Sequence, residues 1–370
     1  MVTDPNAYDI DTPALLIDLD GVEKNLASMQ KKADAAGAVL RPHIKTHKIP
    51  ELAQAQIRIG AVGVTAAKVS EAEVMANAGI DDIFIANQLV APAKLQRLRA
   101  LSKRAKLSVG LDSPAGAKLL SEAFSAAGEK IDYVIEIDSG LNRCGVLPGR
   151  PAVELLKAIK DFPGIRFKGI FTHAGHAYGK QNIEQVKEVS RVESETMVAT
   201  ANLLKDLGVQ LEVVSVGSTP TMRVWEGCGG VNEIRPGNYI FLDGMQTALG
   251  VADPPECALT VIATVISRPA PDRAVVDAGS KVFALDKGAH GQEMLKGFGL
   301  VLNKKAVLDR LSEEHGVMVL APDEKLEIGE RVRIIPNHAC TVINLSDKAY
   351  GIRGGKVEKE LIIAGRGKVQ

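Results

Sequence analysis

Three basic side chains, spaced two residues apart, occur in the segment RPHIKTHK (41–48). If this segment ends a strand, Arg41, His43 and Lys45 share one face, because strand side chains alternate. A lysine that points into a protein interior loses solvation unless it is paired or its pKa falls. Lowered basicity is also what an amine needs to form a Schiff base. The alternative is a solvated loop that forms salt bridges at the rim of a sheet, and the spacing alone leaves both open.

Two glycine-containing segments, SVGSTPT and RPGNYIF, have residues suited to binding a phosphate. The first follows an apolar run and leads into a predicted helix, so Gly217, Ser218 and Thr219 could offer N–H and hydroxyl donors at the helix start. In the second segment, Gly237 permits close approach of the backbone to a ligand. Phosphate sites near the last two strands are common in (β/α)8 barrels. Ordinary turns have similar sequences, so neither segment is specific by itself.

Histidines and one tyrosine cluster in IFTHAGHAYG (170–179). His173, His176 and Tyr178 lie where a predicted strand meets its loop. Histidine suits proton transfer near neutral pH. The alternative is that one of the two histidines is a structural hydrogen-bonding residue.

A histidine and a cysteine occur two residues apart in PNHACTVINL (336–345). If this segment is a strand, His338 and Cys340 point the same way and present an imidazole and a thiolate together. Such a pair suits a divalent ion such as zinc, with water or substrate at the open positions. A buried structural cysteine beside a histidine is the commoner explanation of two such residues.

Short β-rich runs alternate with amphipathic stretches over the first two thirds of the chain. This alternation predicts a parallel sheet covered by helices on both faces. A closed (β/α)8 barrel needs eight strands, so the first of the nine runs is a candidate to pair outside the barrel. An open doubly wound sheet is the competing architecture. The runs are ALLIDLD (14–20), VLRPHIK (39–45), GVTAA (63–67), DIFIAN (82–87), KLSVGLD (106–112), YVIEID (133–138), FKGIFTH (167–173), EVVSVGS (212–218) and EIRPGNYIF (233–241).

The pattern changes after residue 250, where strand-like segments with tight turns replace the strand–helix alternation. This change predicts a mainly antiparallel β-domain. We therefore expect a barrel over residues 13–250 and a β-domain made of residues 1–12 plus 251–370.

The composition limits the classes of partner and compartment. The 370 residues carry 45 acidic and 45 basic side chains, which gives no long-range attraction to nucleic acid or to a membrane surface. No segment reaches the roughly 18 uninterrupted apolar residues of a membrane span. None of the four cysteines forms a C-x-x-C pair, and the first ten residues do not resemble a signal peptide. We therefore expect a cytoplasmic protein that binds neither nucleic acid nor membrane.

These motifs, taken in order, resemble those of a known family. DTPALLIDLDGVEKN, RPHIKTHK, EIDSGLNRCGV, THAGHAYG, VGSTPT, EIRPGNYIF and PNHAC span nearly the whole chain. Together they resemble the fold-type III pyridoxal-phosphate enzymes, in particular the D-threonine aldolase and D-serine dehydratase branch related to alanine racemase. The resemblance implies a (β/α)8 barrel of the TIM type, a C-terminal β-domain and a homodimer.

The resemblance also implies roles for individual residues. Lys45 matches the lysine that forms a Schiff base with pyridoxal 5'-phosphate, and His176 resembles the histidine proposed as base in the aldolases. His338 and Cys340 match a divalent-metal pair, with Zn, Mn or Mg as the metal. The remaining cofactor-binding residues are expected to be Arg143, Tyr178, Ser218, Thr219, Arg235, Gly237 and Asn238.

The resemblance implies a lyase whose substrates are small D-β-hydroxy amino acids. We expect retro-aldol cleavage of D-threonine-like substrates to glycine and an aldehyde. The alternative is a D-serine or D-3-hydroxyaspartate dehydratase that gives a keto acid and ammonia. The His-x-Cys metal pair is more like the dehydratases, whereas His176 is more like the aldolases. A pyridoxal-phosphate carrier without catalysis is a further alternative. A racemase is another alternative, and it would need a second acid–base residue opposite Lys45, usually a tyrosine from the partner's β-domain. Tyr350 is the only tyrosine after residue 250, and it lies outside the motifs that carry the resemblance.

Overall fold

Two sheets make up the fold in the computed structural model, which describes residues 6–288 and 293–370. One sheet has eight strands and the other has nine. Residues 1–5, which we expected in the β-domain, lie outside the described residues.

The chain enters through β1 (Ala14–Asp18) and α1 (Leu19–Ala35). Eight parallel strands follow, and each is hydrogen-bonded to its neighbours in the order β3-β4-β5-β6-β7-β8-β9-β2. The ring closes between β2 and β3 because the Thr65 N–H donates to the Pro42 carbonyl at 2.8 Å. The closed (β/α)8 barrel is therefore confirmed, and the open sheet is excluded. The barrel strands are β2 (Val39–Leu40), β3 (Val64–Ala66), β4 (Asp82–Gln88), β5 (Lys106–Leu111), β6 (Ile131–Ile137), β7 (Ile165–Thr172), β8 (Val213–Val216) and β9 (Glu233–Ile234).

Helices cover the outside of the barrel and bury their apolar faces against the strands. Proline at the first helical turn and side-chain caps, such as those of Ser113 and Asn182, define several helix starts. No helix of the described residues is both long and apolar enough to cross a membrane. The helices are α2 (Pro50–Arg58), α3 (Val69–Asn77), α4 (Pro92–Ser102), α5 (Pro114–Ser125), α6 (Arg150–Ile159), α7 (Ile183–Lys205), α8 (Thr219–Val224) and α9 (Gly244–Ala248).

The second sheet follows the barrel and is mainly antiparallel, as the sequence predicts. β1 lies in this sheet, antiparallel to β10 and parallel to β16. The first predicted strand thus pairs outside the barrel, and the boundary expected at residue 13 does not coincide with this pairing. The elements are β10 (Leu259–Ala270), β11 (Arg273–Val276), α10 (Ser280–Phe283), β12 (Gly299–Val301), β13 (Ala306–Leu311), β14 (Gly316–Leu320), β15 (Arg331–Pro336), α11 (Ala339–Asn344), β16 (Lys348–Arg353) and β17 (Lys356–Ile362).

The predicted strand over PNHACTVINL is wrong. β15 ends at Pro336, and His338 is the residue before the first turn of α11. His338 and Cys340 therefore come together through a helix start and not through strand alternation.

A buried ion-pair network occupies the barrel interior below the strand ends. Arg41 is 6% exposed, and its guanidinium lies 2.8 Å from Glu233 and 2.6 Å from Asp82. Burial alone would raise the pKa of Glu233, but Arg41 and Arg235 hold it below its usual range. The network links the end of β2 to β9 and β4. It therefore stabilises the barrel near the place where β2 and β3 close the ring.

Replacing Arg41 with Met is expected to lower the free energy of unfolding by about 3–5 kcal/mol, because it leaves the Glu233 carboxylate buried without its partner. Arg166→Met is the matched control. Arg166 pairs with Asp132 and Glu212, but its side chain is 50% exposed, so we expect a loss of about 1 kcal/mol or less. Denaturant unfolding of both variants measures the difference, and equal losses would contradict the role of the buried network.

Candidate active site

A cavity of about 490 Å³ opens at the carboxyl ends of the barrel strands. Its walls come from the last residues of β4, β6 and β7, from the segments that follow β2, β3, β6, β7, β8 and β9, and from the start of α11. The C-terminal face of a (β/α)8 barrel is where active sites of this architecture lie. The volume is within the range of small-molecule sites.

Lys45 lines this cavity from a short 3-10 helix, Ile44–Thr46, that follows β2. Among the described residues, no carboxylate lies within ion-pair distance of its ammonium, and Cys340 is the acidic group that acts on it most. Burial lowers the pKa of Lys45, and Arg143 and Arg235 lower it further against the opposing effect of Cys340. Lys45 thus meets both conditions for a nucleophilic amine, lowered basicity and access to a cavity.

The expectation that Arg41, His43 and Lys45 share one strand face is wrong for Lys45, because the extended backbone ends at His43. β2 ends at Leu40, and the 3-10 helix turns the chain before Lys45. Arg41 consequently points into the ion-pair network of the barrel interior, whereas His43 and Lys45 line the cavity.

Gly217 and Gly237, from the two glycine-containing segments, form part of the cavity wall near Lys45. A Cβ at Gly237 would lie 3.1 Å from the His43 carbonyl and 3.2 Å from Thr46 Oγ1. Gly217 has φ +123, and a Cβ there would lie 2.9 Å from Met222. Each position requires glycine, for close packing at Gly237 and for a left-handed backbone at Gly217.

Ser218, Thr219 and Asn238 also line the cavity, and part of their hydrogen-bonding capacity holds the walls together. The hydroxyl of Thr219 accepts from the Tyr239 N–H at 3.0 Å, and the Asn238 amide donates to Asp243 at 2.6 Å. The structure therefore brings the predicted phosphate-binding residues to one wall, next to Lys45.

Two arginines give the cavity further positive charge. Arg235 is 5% exposed, donates to the Ser215 hydroxyl and the Thr172 carbonyl, and lies 5.1 Å from the centre of the Phe171 ring. Arg143 is half-exposed and lies 3.6 Å from Glu136. A phosphorylated pyridine aldehyde fits this set of residues, because they offer a lysine amine, two guanidinium groups and a glycine-lined wall in one cavity.

His338 and Cys340 line the cavity from the start of α11. The Cys340 thiol lies 3.2 Å from Thr46 Oγ1, beside the 3-10 helix of Lys45, and His338 Nδ1 lies 3.1 Å from Asp286. Burial opposes both charged forms, yet His338 lowers the pKa of Cys340, and Cys340 with Asp286 raises the pKa of His338 well above its usual value. Without a metal, the pair therefore favours a thiolate next to an imidazolium that the Asp286 carboxylate orients. A divalent metal that displaces the imidazolium proton would find a thiolate and an oriented imidazole, a donor set suited to a borderline ion.

The histidines of the 170–179 segment separate in the structure. His173 lines the cavity, with Nδ1 3.3 Å from the Gly217 carbonyl. His176 belongs to the 3-10 helix Gly175–Gly179, packs near Gly140 and does not line the cavity. Tyr178 lies in the same 3-10 helix and does line it. The helix turns consecutive side chains in different directions, which the sequence pattern did not reveal.

Several carboxylates near the site were missed by the sequence analysis. Glu136 lines the cavity. One of its carboxylate oxygens lies within 4.8 Å of a carboxylate oxygen of Asp112 and of Cys144 Sγ. Asp243 accepts from the Ala339 N–H, and Glu193 accepts from the Gly217 N–H at 2.9 Å. The one signal available for Glu193 was its spacing of four residues from both Val189 and Met197, which places a carboxylate on the buried face of α7, where it is unusual.

Comparison with known families agrees with this architecture. Residues 17–244 match the family described as "Alanine racemase, N-terminal domain", and residues 258–352 match "Putative serine dehydratase domain". The chain belongs to the alanine racemase-like family. It is a lyase of the fold-type III pyridoxal-phosphate enzymes, as the resemblance predicted.

Relatives cover nearly the full length of the chain. A D-threonine aldolase of Arthrobacter sp is 36% identical over 361 residues, which are 97% of this chain and 93% of the relative. A D-threo-3-hydroxyaspartate dehydratase of Delftia sp. (strain HT23) is 37% identical over 349 residues, which are 90% of this chain and 91% of the relative.

Solved structures also resemble this chain over nearly its full length. The crystal structure of a D-threonine aldolase from Filomicrobium marinum superposes with a TM-score of 0.91 at 36% identity and covers 100% of both chains. A Clostridium difficile alanine racemase shares the fold with a TM-score of 0.71 at 16% identity, over 96% of this chain and 100% of that one.

The buried Glu193 carboxyl leads to a stability prediction. Burial raises its pKa to about 7 from a usual value of 4.5. Because the folded state holds the proton more tightly, the stabilisation is present below about pH 4.5 and is lost as the pH rises through about 7. Relative to Glu193→Gln, the wild-type free energy of unfolding should fall by about 3 kcal/mol between about pH 5 and pH 8. Denaturant unfolding at several pH values measures this difference, and a difference that does not change with pH would contradict it.

Proposed function

We propose that this protein is a pyridoxal-phosphate- and divalent-metal-dependent lyase that cleaves D-β-hydroxy amino acids of the D-threonine type to glycine and an aldehyde. The observation that carries the proposal is the amine of Lys45, which has no carboxylate partner in the described part of the chain, in one cavity with the His338 and Cys340 pair. The relatives named as D-threonine aldolases support the choice of reaction.

Lys45 would hold the cofactor covalently when no substrate is bound. The phosphate would be bound by Ser218, Thr219, Gly237 and Asn238, and the residues beside the ring would be Arg143, Tyr178 and Arg235. When bound, pyridoxal phosphate supplies a conjugated ring that accepts the electron pair of the breaking Cα–Cβ bond.

His338 and Cys340 would bind the metal, with Asp286 orienting the imidazole through Nδ1. A bound divalent ion lowers the pKa of a coordinated hydroxyl. The substrate's β-hydroxyl would thus lie between this pair and a base that takes its proton.

We assign the base to His176 from the resemblance to the aldolases, although it does not line the cavity; its Nδ1 is buried without a hydrogen-bond partner among the described residues. Its neighbour His173 is the alternative, since it already lines the cavity. If His176 is the base, His176→Asn lowers kcat by about 10²–10⁴-fold, and His173→Asn lowers it much less. Steady-state kinetics of the two variants decide, and the opposite order would transfer the role to His173.

A dehydratase is the second candidate function. It is favoured by the thiolate in the metal pair and by the relative named as a D-threo-3-hydroxyaspartate dehydratase. In that reaction Lys45 would remove the α-proton, and the β-hydroxyl would leave as hydroxide.

Product analysis with D-threonine, D-serine and D-threo-3-hydroxyaspartate separates the two reactions. We expect glycine and acetaldehyde from D-threonine, and no turnover after chelation of the metal. Ammonia and a keto acid in place of glycine would reject the aldolase and support the dehydratase.

Two substitutions test the cofactor and metal assignments separately. Lys45→Ala is expected to lose the visible absorbance of the bound cofactor, because the covalent link is gone. His338→Ala is expected to keep this absorbance and lose turnover. Full activity of the His338→Ala enzyme would reject the metal role.

A homodimer in the cytoplasm remains a prediction from the sequence resemblance and composition. Analytical ultracentrifugation of the purified protein tests the dimer directly.

A further inference from the structure

His43 is held rigidly between Lys45 and the cavity wall. Its Nδ1 accepts a hydrogen bond from the Lys45 backbone N–H at 3.3 Å, and the backbone N–H of His43 donates to the Pro236 carbonyl at 3.0 Å. A Cβ at Gly237 would lie 3.2 Å from the His43 Cβ. The ring lines the cavity. Among the described residues, none forms a hydrogen bond with its Nε2.

The hydrogen bond from Lys45 fixes the proton on the ring. A nitrogen that accepts an N–H bond must carry a lone pair, so Nδ1 of His43 is unprotonated. A neutral imidazole then carries its single proton on Nε2. The ring is therefore a donor towards the cavity and has no second lone pair with which to act as a base.

The surroundings of His43 keep it neutral. Burial lowers its pKa well below the usual value, and the positive charges of Lys45, His173, Arg235 and Arg143 lower it further. The same charges make the space in front of the ring favourable for an anion. A neutral donor there stabilises a negative oxygen without adding another buried cation.

We propose that His43 is a fixed hydrogen-bond donor of the active site, whose Nε2–H binds an anionic oxygen of the ligand. The inference rests on the proposed function, which places two such oxygens in the cavity. One belongs to the substrate's α-carboxylate and the other to the cofactor's phenolic group. This role differs from proton transfer, which belongs to the histidines after β7.

The tautomer can be measured without turnover. In ¹⁵N-histidine-labelled holoenzyme, with His43→Asn used for assignment, we expect the nitrogen shifts of a neutral ring protonated at Nε2. The pattern should not change between about pH 6 and pH 8, although an unperturbed histidine titrates near 6.5. A ring protonated at Nδ1, or one that titrates in this range, would overturn the proposal.

Two substitutions separate the donor from the helix cap. His43→Asn keeps the cap and loses the donor, because the shorter amide can still accept from the Lys45 N–H through its oxygen but has no group at the former Nε2. His43→Gln places an amide N–H near the former Nε2 and loses the cap. We expect His43→Asn to lower kcat/KM by about 10–100-fold, the range for a hydrogen bond to a charged group, and His43→Gln to lower it less. A purely structural cap predicts the reverse order, which would overturn the proposal.

Binding measurements on His43→Asn identify which anionic oxygen accepts the hydrogen bond from His43 Nε2. If the partner is the substrate's carboxylate, D-threonine loses affinity, D-threoninamide does not, and the dissociation constant of the cofactor is unchanged. If the partner is the cofactor's phenolic oxygen, cofactor affinity falls and the visible absorbance maximum shifts. Either result supports the donor role. Unchanged affinities together with an unchanged spectrum would overturn it.

Failure of the proposed function is distinguishable from failure of this inference. Absence of turnover of D-β-hydroxy amino acids by the wild-type enzyme would reject the function. The tautomer of His43 and the cofactor affinity of His43→Asn would still decide the donor role.

Discussion

A buried amine with no carboxylate partner raises the free energy of the folded protein, because its charged form loses water and gains little in return. Lys45 is such an amine within the described residues, and the nearby Cys340 thiol offsets only part of the loss. Burial and two nearby arginines lower its pKa, and a low pKa makes it a better nucleophile near neutral pH. The loss of solvation that weakens the fold at this position is therefore what gives the position its reactivity.

The surrounding structure keeps this unfavourable arrangement in place. The 3-10 helix of Lys45 is capped by His43 on one side and contacts Cys340 through Thr46 on the other. This 3-10 helix follows β2, whose pairing with β9 is reinforced by the Arg41–Glu233 pair. The barrel and the β-domain thus meet at the short segment that carries the amine. Residues of both domains are needed to form the cavity.

Much of this architecture followed from sequence patterns. All nine predicted strands of residues 14–241 exist, because near-continuous apolar runs between helices have few other folded solutions. The local geometry around Lys45 and His338 did not follow. Both segments were predicted as strands, but one is a 3-10 helix and the other is a helix start. A side-chain cap such as that of His43 decides these turns, and no periodicity reveals it. For the same reason, the alternation of side chains along a strand could not predict that His173 lines the cavity whereas His176 packs beside Gly140.

The most direct test of the account is to reduce the purified holoenzyme with borohydride, which converts a Schiff base into a stable amine, and to map the modified peptide by mass spectrometry. The account predicts the mass of the reduced cofactor on Lys45 and on no other residue. A label on Lys48 or on any other lysine, or the absence of a label in an enzyme that absorbs in the visible range, would contradict it.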